Sequence, residues 1–252
     1  MSDTILLSIN GPIAKLVLNN PERHNSLGAA ELKGLSGALS IIESNSELRV
    51  LVITGAGDKT FCGGASLVDM RNGAITGDDF QSVTDQISKL TIPTIAALNG
   101  SVFGGGAELA LSCDFRIGVE GMILRVPPAT MGLCYPISGI ETFTRKLGPN
   151  ISKRLLLAAE KVEGEALVNM GFLDSLVGRD DLPAATQSYA EQLAANAPLS
   201  VQGMKKIIDA IVENSLDREE AKVIADQCWN SDDLKEGLSA QKEKREPLFR
   251  GR

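Results

Sequence analysis

The sequence predicts an α/β fold, and two observations carry that prediction. Short apolar, β-branched runs alternate with segments of helical periodicity. One of those runs also leads through consecutive glycines directly into a helix. In chain order, Ile5 to Ile9 and Ile13 to Leu18 read as strands joined by the turn pair Gly11-Pro12. A polar loop, Asn19 to Ser26, precedes a helix from about Ala29 to Ser44, where Leu32, Leu35, Leu39 and Ile42 recur at helical spacing. Val50 to Thr54 is continuously apolar and reads as a buried strand, and Asp78 to Leu90 fits a helix. Pro93 to Leu98 is again a buried strand, and Asp114 to Val119 and Met122 to Val126 are short strands around Glu120-Gly121. Pro127 to Pro136 is irregular and suited to walling a pocket. From Ile137 onward the pattern is mostly helical, with Met204, Ile207, Ile208, Ile211 and Val212 forming a stripe that suits a core or a subunit contact.

Composition narrows the function. The 252 residues allow one large α/β domain or two smaller ones, and 43% hydrophobic content supplies a substantial core. A net charge of −7 and a pI near 4.9 argue against general nucleic-acid binding. No apolar run is long enough to span a bilayer, and no secretory signal pattern is visible at the N-terminus. Cys62, Cys113, Cys134 and Cys228 are scattered, and His24 is the single histidine. No zinc site or disulfide framework is expected, and a reducing cytoplasm fits this usage. Lys59-Thr60 has the look of a phosphate-binding loop, but Asp58 stands where that motif needs glycine.

The informative stretch is Leu98 to Asp114: the strand Pro93 to Leu98 leads into it, and the turn Gly104-Gly105-Gly106 is followed by a helix over Ala107 to Leu111. Glycines let a ligand approach the main chain, and the first amides of a helix lack intrahelical acceptors. With the helix dipole they can stabilise an oxyanion. Glu108 follows Gly105 by three residues and shares its helix face. A carboxylate thus sits beside a candidate oxyanion site, as proton transfer next to a carbonyl requires. Dinucleotide-binding turns are also glycine-rich, but the spacing here is not G-x-G-x-x-G.

Three segments, Pro21 to Leu27, Phe61 to Leu67 and Asn99 to Glu108, together with the tail Glu236 to Phe249, resemble the crotonase superfamily of enoyl-CoA hydratases and isomerases. The motifs stand in the family's order over nearly the whole chain. The resemblance implies a crotonase-like (ClpP/crotonase) α/β spiral of β-β-α units over residues 1–195. A helical C-terminal region over 196–252 would pack trimers, giving a homotrimer or homohexamer. It implies an oxyanion hole from the backbone amides of Ala65 and Gly105, with Glu108 as acid/base. The substrate implied is an acyl-CoA, whose coenzyme A belongs to the substrate, so no separate cofactor is expected. CoA would pass the Arg23 loop and the Gly63 to Ser66 loop, making Arg23, Asn25, Gly63 and Ser66 binding candidates. Arg23 and the basic tail are the candidate phosphate partners. That tail, from Lys235 to Arg252, carries an excess of three positive charges, which is equally the pattern of an exposed solvated helix.

The chain departs from the family at one catalytic position. Hydratases use two glutamates, and the second position here is Pro128, which cannot exchange a proton. Glu141 is an extra candidate on the following helix, or simply a surface or capping carboxylate. The segment Pro127 to Thr144 resembles the methylmalonyl-CoA decarboxylase branch, which also lacks the second glutamate and places a tyrosine where Tyr135 stands. That branch has histidine where this chain has Ala65. The expectation is therefore a hydratase-type lyase, with decarboxylation of a malonyl-type acyl-CoA as the alternative and a non-catalytic acyl-CoA binder as the third reading.

Overall fold

The computed structural model describes residues 3–252. The chain opens with an antiparallel hairpin, β1 (Ile5–Asn10) and β2 (Ile13–Leu18), with Asn10 opposite Ile13 across the Gly11-Pro12 turn. Helix α1 (Ala29–Glu43) follows and buries Leu32, Leu35, Leu39 and Ile42, the spacing that predicted it. The next strand, β3 (Val50–Gly55), pairs parallel with β2. Then the chain begins to alternate between two sheets.

β4 (Thr60–Cys62) lies in the second sheet and is followed by α2 (Leu67–Arg71) and α3 (Gly77–Ser88). β5 (Thr94–Leu98) returns to the first sheet, β6 (Ser101–Phe103) goes to the second, and α4 (Gly105–Leu111) closes that turn. β7 (Phe115–Val119), β8 (Ile123–Arg125) and α5 (Ile137–Leu156) repeat the sequence of moves. β9 (Val162–Glu163), α6 (Glu165–Asn169) and β10 (Ser175–Val177) complete the sheets. The main sheet has the order β1-β2-β3-β5-β7-β10 and is parallel from β2 onward. The smaller sheet, β4-β6-β8-β9, is parallel except for its last pair. Each turn therefore gives one strand to each sheet and then helix, two helices (α2 and α3) in the first turn and the buried α4 in the next, which is the β-β-α spiral that the family resemblance implies.

Parallel strands covered on both faces should be apolar throughout, and β5 is buried at all five positions. One face of the main sheet is covered by α7 (Leu182–Ala195), which packs on β2, β3, β5 and β7. The segment expected to be mostly helical holds β9 and β10 as well. They are two and three residues long, too short to show a hydrophobic period. Helix α5 is broken at Gly148 (φ 77°), immediately before Pro149, whose ring cannot continue a regular helix.

Three helices follow: α8 (Pro198–Val212), α9 (Arg218–Trp229) and α10 (Asp232–Glu243). Lys205 Nζ pins α8 to the core through Asp114 Oδ2 at 2.5 Å and the Ile92 carbonyl at 3.1 Å. Arg49 donates to the Ala194 carbonyl at 2.9 Å and to the Phe249 carbonyl at 2.6 Å, tying the tail down. The Asp233 carboxylate accepts from the Arg250 and Gly251 amides. The predicted stripe on α8 lies outside this chain's core: Met204, Ile208, Ile211 and Val212 are exposed.

Candidate active site

The site forms where two chain segments meet at the edge of the small sheet. The first leaves β4 through Gly63, Gly64 and Ala65. The Leu27 amide donates to the Gly64 carbonyl, and the Ser66 amide donates to the Leu27 carbonyl, both at 2.8 Å. Ser66 Oγ then caps α2 by accepting from the Asp69 amide. The second segment leaves β6 through Gly104, whose φ of 50° turns the chain into α4. Close approach explains the glycines here. A Cβ on Gly106 would lie 2.1 Å from the Cys62 carbonyl oxygen, and one on Gly64 would lie 2.7 Å from the Gly105 nitrogen. The two loops therefore touch through their backbones, and no side chain fits between them.

This contact leaves two main-chain donors open. Among the described residues neither the Ala65 amide nor the Gly105 amide has an acceptor within the chain. Gly105 is the first residue of α4, where an intrahelical acceptor does not exist. Gly64 in turn donates its amide to Cys62 Sγ at 3.3 Å, which fixes the loop from below. Burial pushes that thiol up to about 12, so it stays neutral.

One turn into α4 lies Glu108, only 4% exposed. Tyr135 donates its hydroxyl to Glu108 Oε2 at 2.8 Å. Burial holds the Glu108 carboxyl above its ordinary range; the Tyr135 hydrogen bond opposes this shift, and the negative charge of Asp85 adds to it. Burial, followed by the neighbouring carboxylate, pushes the Tyr135 phenol well above its usual value. The Tyr135 ring stands edge-on to Phe143 with centroids 5.8 Å apart. Helix α5 comes so close at Gly139 that a Cβ there would lie 2.2 Å from the Tyr135 ring and 2.7 Å from Glu108 Oε2. The pair is thus clamped between α4 and α5. A buried carboxylate whose environment favours its neutral form holds a proton more tightly than an exposed one, which suits it to general acid–base work.

The structure separates the remaining sequence candidates. Pro128 is buried at the start of a short 3-10 turn, Pro128–Met131, and brings no titratable group. Glu141 makes no hydrogen bond to Tyr135 or Glu108 among the described residues. It is exposed and pairs with Arg145, one turn further along α5, at 3.0 Å. Asn25, a candidate for binding, is 1% exposed and its amide is fully used within the chain. It donates to the Ala56 and Thr60 carbonyls and accepts from the Asn20 amide, so it shapes the Arg23 loop from inside. Arg23 is exposed on that loop, and its guanidinium has no partner among the described residues. Gly63 donates to the His24 carbonyl at 2.8 Å and joins the Arg23 loop to the Ala65 loop. In the basic tail, Arg245 is held by Glu236 and Glu243 and Lys235 by Asp232, so part of its positive charge is spent locally. Glu108 and Tyr135 stand 27 residues apart in the chain, and their direct bond depends on the path of α5. Among the described residues no cluster of three or more metal-ligating side chains occurs, and no helix is long and apolar enough to cross a membrane.

A two-sheet spiral with its site where two strand-to-helix turns meet defines a protein of the crotonase type. The chain belongs to the enoyl-CoA hydratase/isomerase family, whose model matches residues 8–252, and it is an enzyme of that family. It is 28% identical to a short-chain-enoyl-CoA hydratase of Clostridium acetobutylicum, over 96% of both chains. It is 30% identical to a carnitinyl-CoA dehydratase of Salmonella enteritidis over the whole of both chains. The crystal structure of an enoyl-CoA hydratase from Bacillus anthracis superposes with a TM-score of 0.90 at 28% identity, covering 99% of this chain and 100% of that one.

Proposed function

We propose that this enzyme is a hydratase-type lyase acting on an enoyl-CoA thioester, with Glu108 as its single acid/base. The observation that carries this reading is the buried Glu108 carboxylate, bonded to Tyr135, one turn from the acceptor-free Gly105 amide. The Ala65 and Gly105 amides would receive the thioester oxygen as it gains enolate charge. A preformed donor of this kind is worth about 2.7–4 kcal/mol in the transition state. Glu108, ionised, takes a proton from water as the oxygen bonds to Cβ. The π electrons move onto the thioester oxygen, and Glu108 then delivers its proton to Cα as the enolate collapses. One carboxylate serves both transfers, so Pro128 need contribute nothing.

The relatives' names support the substrate class, one being a short-chain-enoyl-CoA hydratase and another a carnitinyl-CoA dehydratase. Arg23, exposed and without a partner among the described residues, would meet a CoA phosphate. The apolar stripe on α8 would pack a homotrimer or a dimer of trimers, checked by light scattering. Four free thiols suit a reducing cytoplasm. The test of the reaction is Glu108→Gln, which keeps an acceptor for Tyr135 but cannot exchange a proton. Turnover of crotonyl-CoA should fall by about 10²–10⁴-fold while acyl-CoA affinity stays near wild type. Near-wild-type turnover would remove Glu108 from the mechanism.

A second reading rests on the Tyr135 hydroxyl beside Glu108, with Pro128 in place of a second carboxylate. Loss of CO2 from a malonyl-type acyl-CoA generates the same enolate without a base. Release of CO2 from methylmalonyl-CoA, with a greater loss in Tyr135→Phe than in Glu108→Gln, would favour it.

A further inference from the structure

Glu108 also faces a space at the C-terminal end of α4, lined by Leu111 and Ser112, whereas the Gly105 amide stands at the N-terminal end of that helix. Besides meeting Tyr135, Glu108 lines a polar cavity of about 390 Å³ between α3, α4, α5 and the end of α8. Thr84, Asp85 and Ser88 line it from α3, Ser112 from the end of α4, and Ser138 and Thr142 from α5. This is far more space than one water needs (about 30 Å³), and the walls offer the two to four polar partners that hold a water in place. We infer that this cavity is a proton path through which Glu108 exchanges with solvent while an acyl-CoA fills the opposite side, with Asp85 as the carboxylate at its outer part. The inference rests on Glu108 being the acid/base.

Charge along the path supports the assignment. Asp85 is about half exposed, and its one ion-pair partner among the described residues, Lys89 at the end of α3, lies 3.9 Å away. Asp85 thus remains available to solvent and close enough to Glu108 for its charge to be felt there. Facing it across the cavity, Glu141 is paired with Arg145, and Asp114 is bonded to Lys205. Lys146 and Asp209 are the other charged groups on the far wall, together with Glu213. Arg145, Lys146 and Lys205 stand on α5 and α8, and Lys89 at the end of α3 is paired with Asp85, so the α3 side next to Glu108 keeps the Thr84 and Ser88 hydroxyls and the Asp85 carboxylate as the carriers.

The reaction that isolates this path is α-proton exchange. A saturated thioester such as butyryl-CoA has α-protons but no β-oxygen to lose. Glu108 removes the α-proton to leave an enolate, the resulting carboxylic acid trades its proton for a solvent deuteron, and that deuteron returns to Cα. No bond other than C–H is broken. Hydration of crotonyl-CoA, in contrast, recycles the same proton and needs no exchange with the bulk. In D2O, deuterium uptake into butyryl-CoA would be followed by mass spectrometry for wild type, Ser88→Leu and Thr142→Leu, with folding checked by circular dichroism. Both substitutions fill the cavity from opposite walls. Exchange should fall about 10²-fold, the lower end of what a proton-transfer path is worth, with crotonyl-CoA hydration within a few-fold of wild type. Asp85→Asn should move the Glu108-dependent limb of the pH profile to lower pH without a change in KM. Undiminished exchange in the two folded variants, or equal losses of exchange and hydration, would overturn the path. Absence of both activities in the wild-type enzyme would instead overturn the acid/base reading of Glu108.

Discussion

Gly64→Ala tests how the two loops make the site. Gly64 has φ +88°, and a Cβ there would lie 2.7 Å from the Gly105 nitrogen, 2.9 Å from the Phe103 carbonyl oxygen and 3.2 Å from the Gly106 nitrogen. All three are backbone atoms, so no rotamer change can relieve the overlap. Left-handed backbone costs a residue with a Cβ about 1–2 kcal/mol, and overpacking a filled site costs about 1–3 kcal/mol. Together these give a destabilisation of about 2–5 kcal/mol, read from the urea midpoint. Relief requires the Ala65 loop and the start of α4 to move apart by a few tenths of an ångström, which misaligns one amide of the pair. If those amides hold the enolate oxygen, turnover of crotonyl-CoA should drop by about 10²–10³-fold in the molecules that remain folded. Unchanged turnover with a clearly lowered midpoint would show that the two amides do not act together. An unchanged midpoint would refute the packing argument itself.

Other outcomes follow from single contacts. Glu108 has its folded pKa raised above its ordinary 4.5, so the folded state holds its proton more tightly than the unfolded chain. Stability from this group is full below the unfolded value and is lost as pH rises through the folded one. Glu108→Gln should therefore raise the urea midpoint at pH 7.5 relative to wild type, with the gain vanishing near pH 4. Tyr135→Phe removes the bond that lowers the Glu108 pKa, so the Glu108-dependent limb of the pH–rate profile should move to higher pH; an unmoved limb would show that the bond does not tune it. Asn25→Ala leaves the Ala56 and Thr60 carbonyls and the Asn20 amide without their partner, and at about 1–3 kcal/mol for a buried unsatisfied group it should lower the urea midpoint markedly. Arg23→Ala, on an exposed side chain with no partner among the described residues, should leave the midpoint alone and weaken CoA binding most at low salt; equal affinity for CoA would exclude Arg23 as a phosphate contact.

The sequence by itself determined the class of fold and most of the elements. β3 and β5 are covered on both faces, so each carries an apolar run, Val50 to Ile53 and Ile95 to Leu98, and α1 had to carry its leucines at helical spacing. Glu108 was legible too, because the turn and its carboxylate are neighbours in the chain. Short elements were not legible: β4, β9 and β10 hold two or three residues, and they are strands only because a neighbour supplies hydrogen-bond partners. The role of Asn25 was equally hidden, since a polar residue in a polar loop reads as a ligand contact until its amide is found facing the Ala56 and Thr60 carbonyls. Only the tertiary structure decided that Tyr135 reaches Glu108, that Glu141 pairs with Arg145, and that Glu108 and Glu141 line one polar cavity. Those facts depend on where α5 crosses α4, and that crossing is set by the fit of Gly139 against a carboxylate and a ring contributed by other segments of the chain. Local pattern encodes which face of an element is buried, whereas the partner it meets there is a property of the whole packed chain.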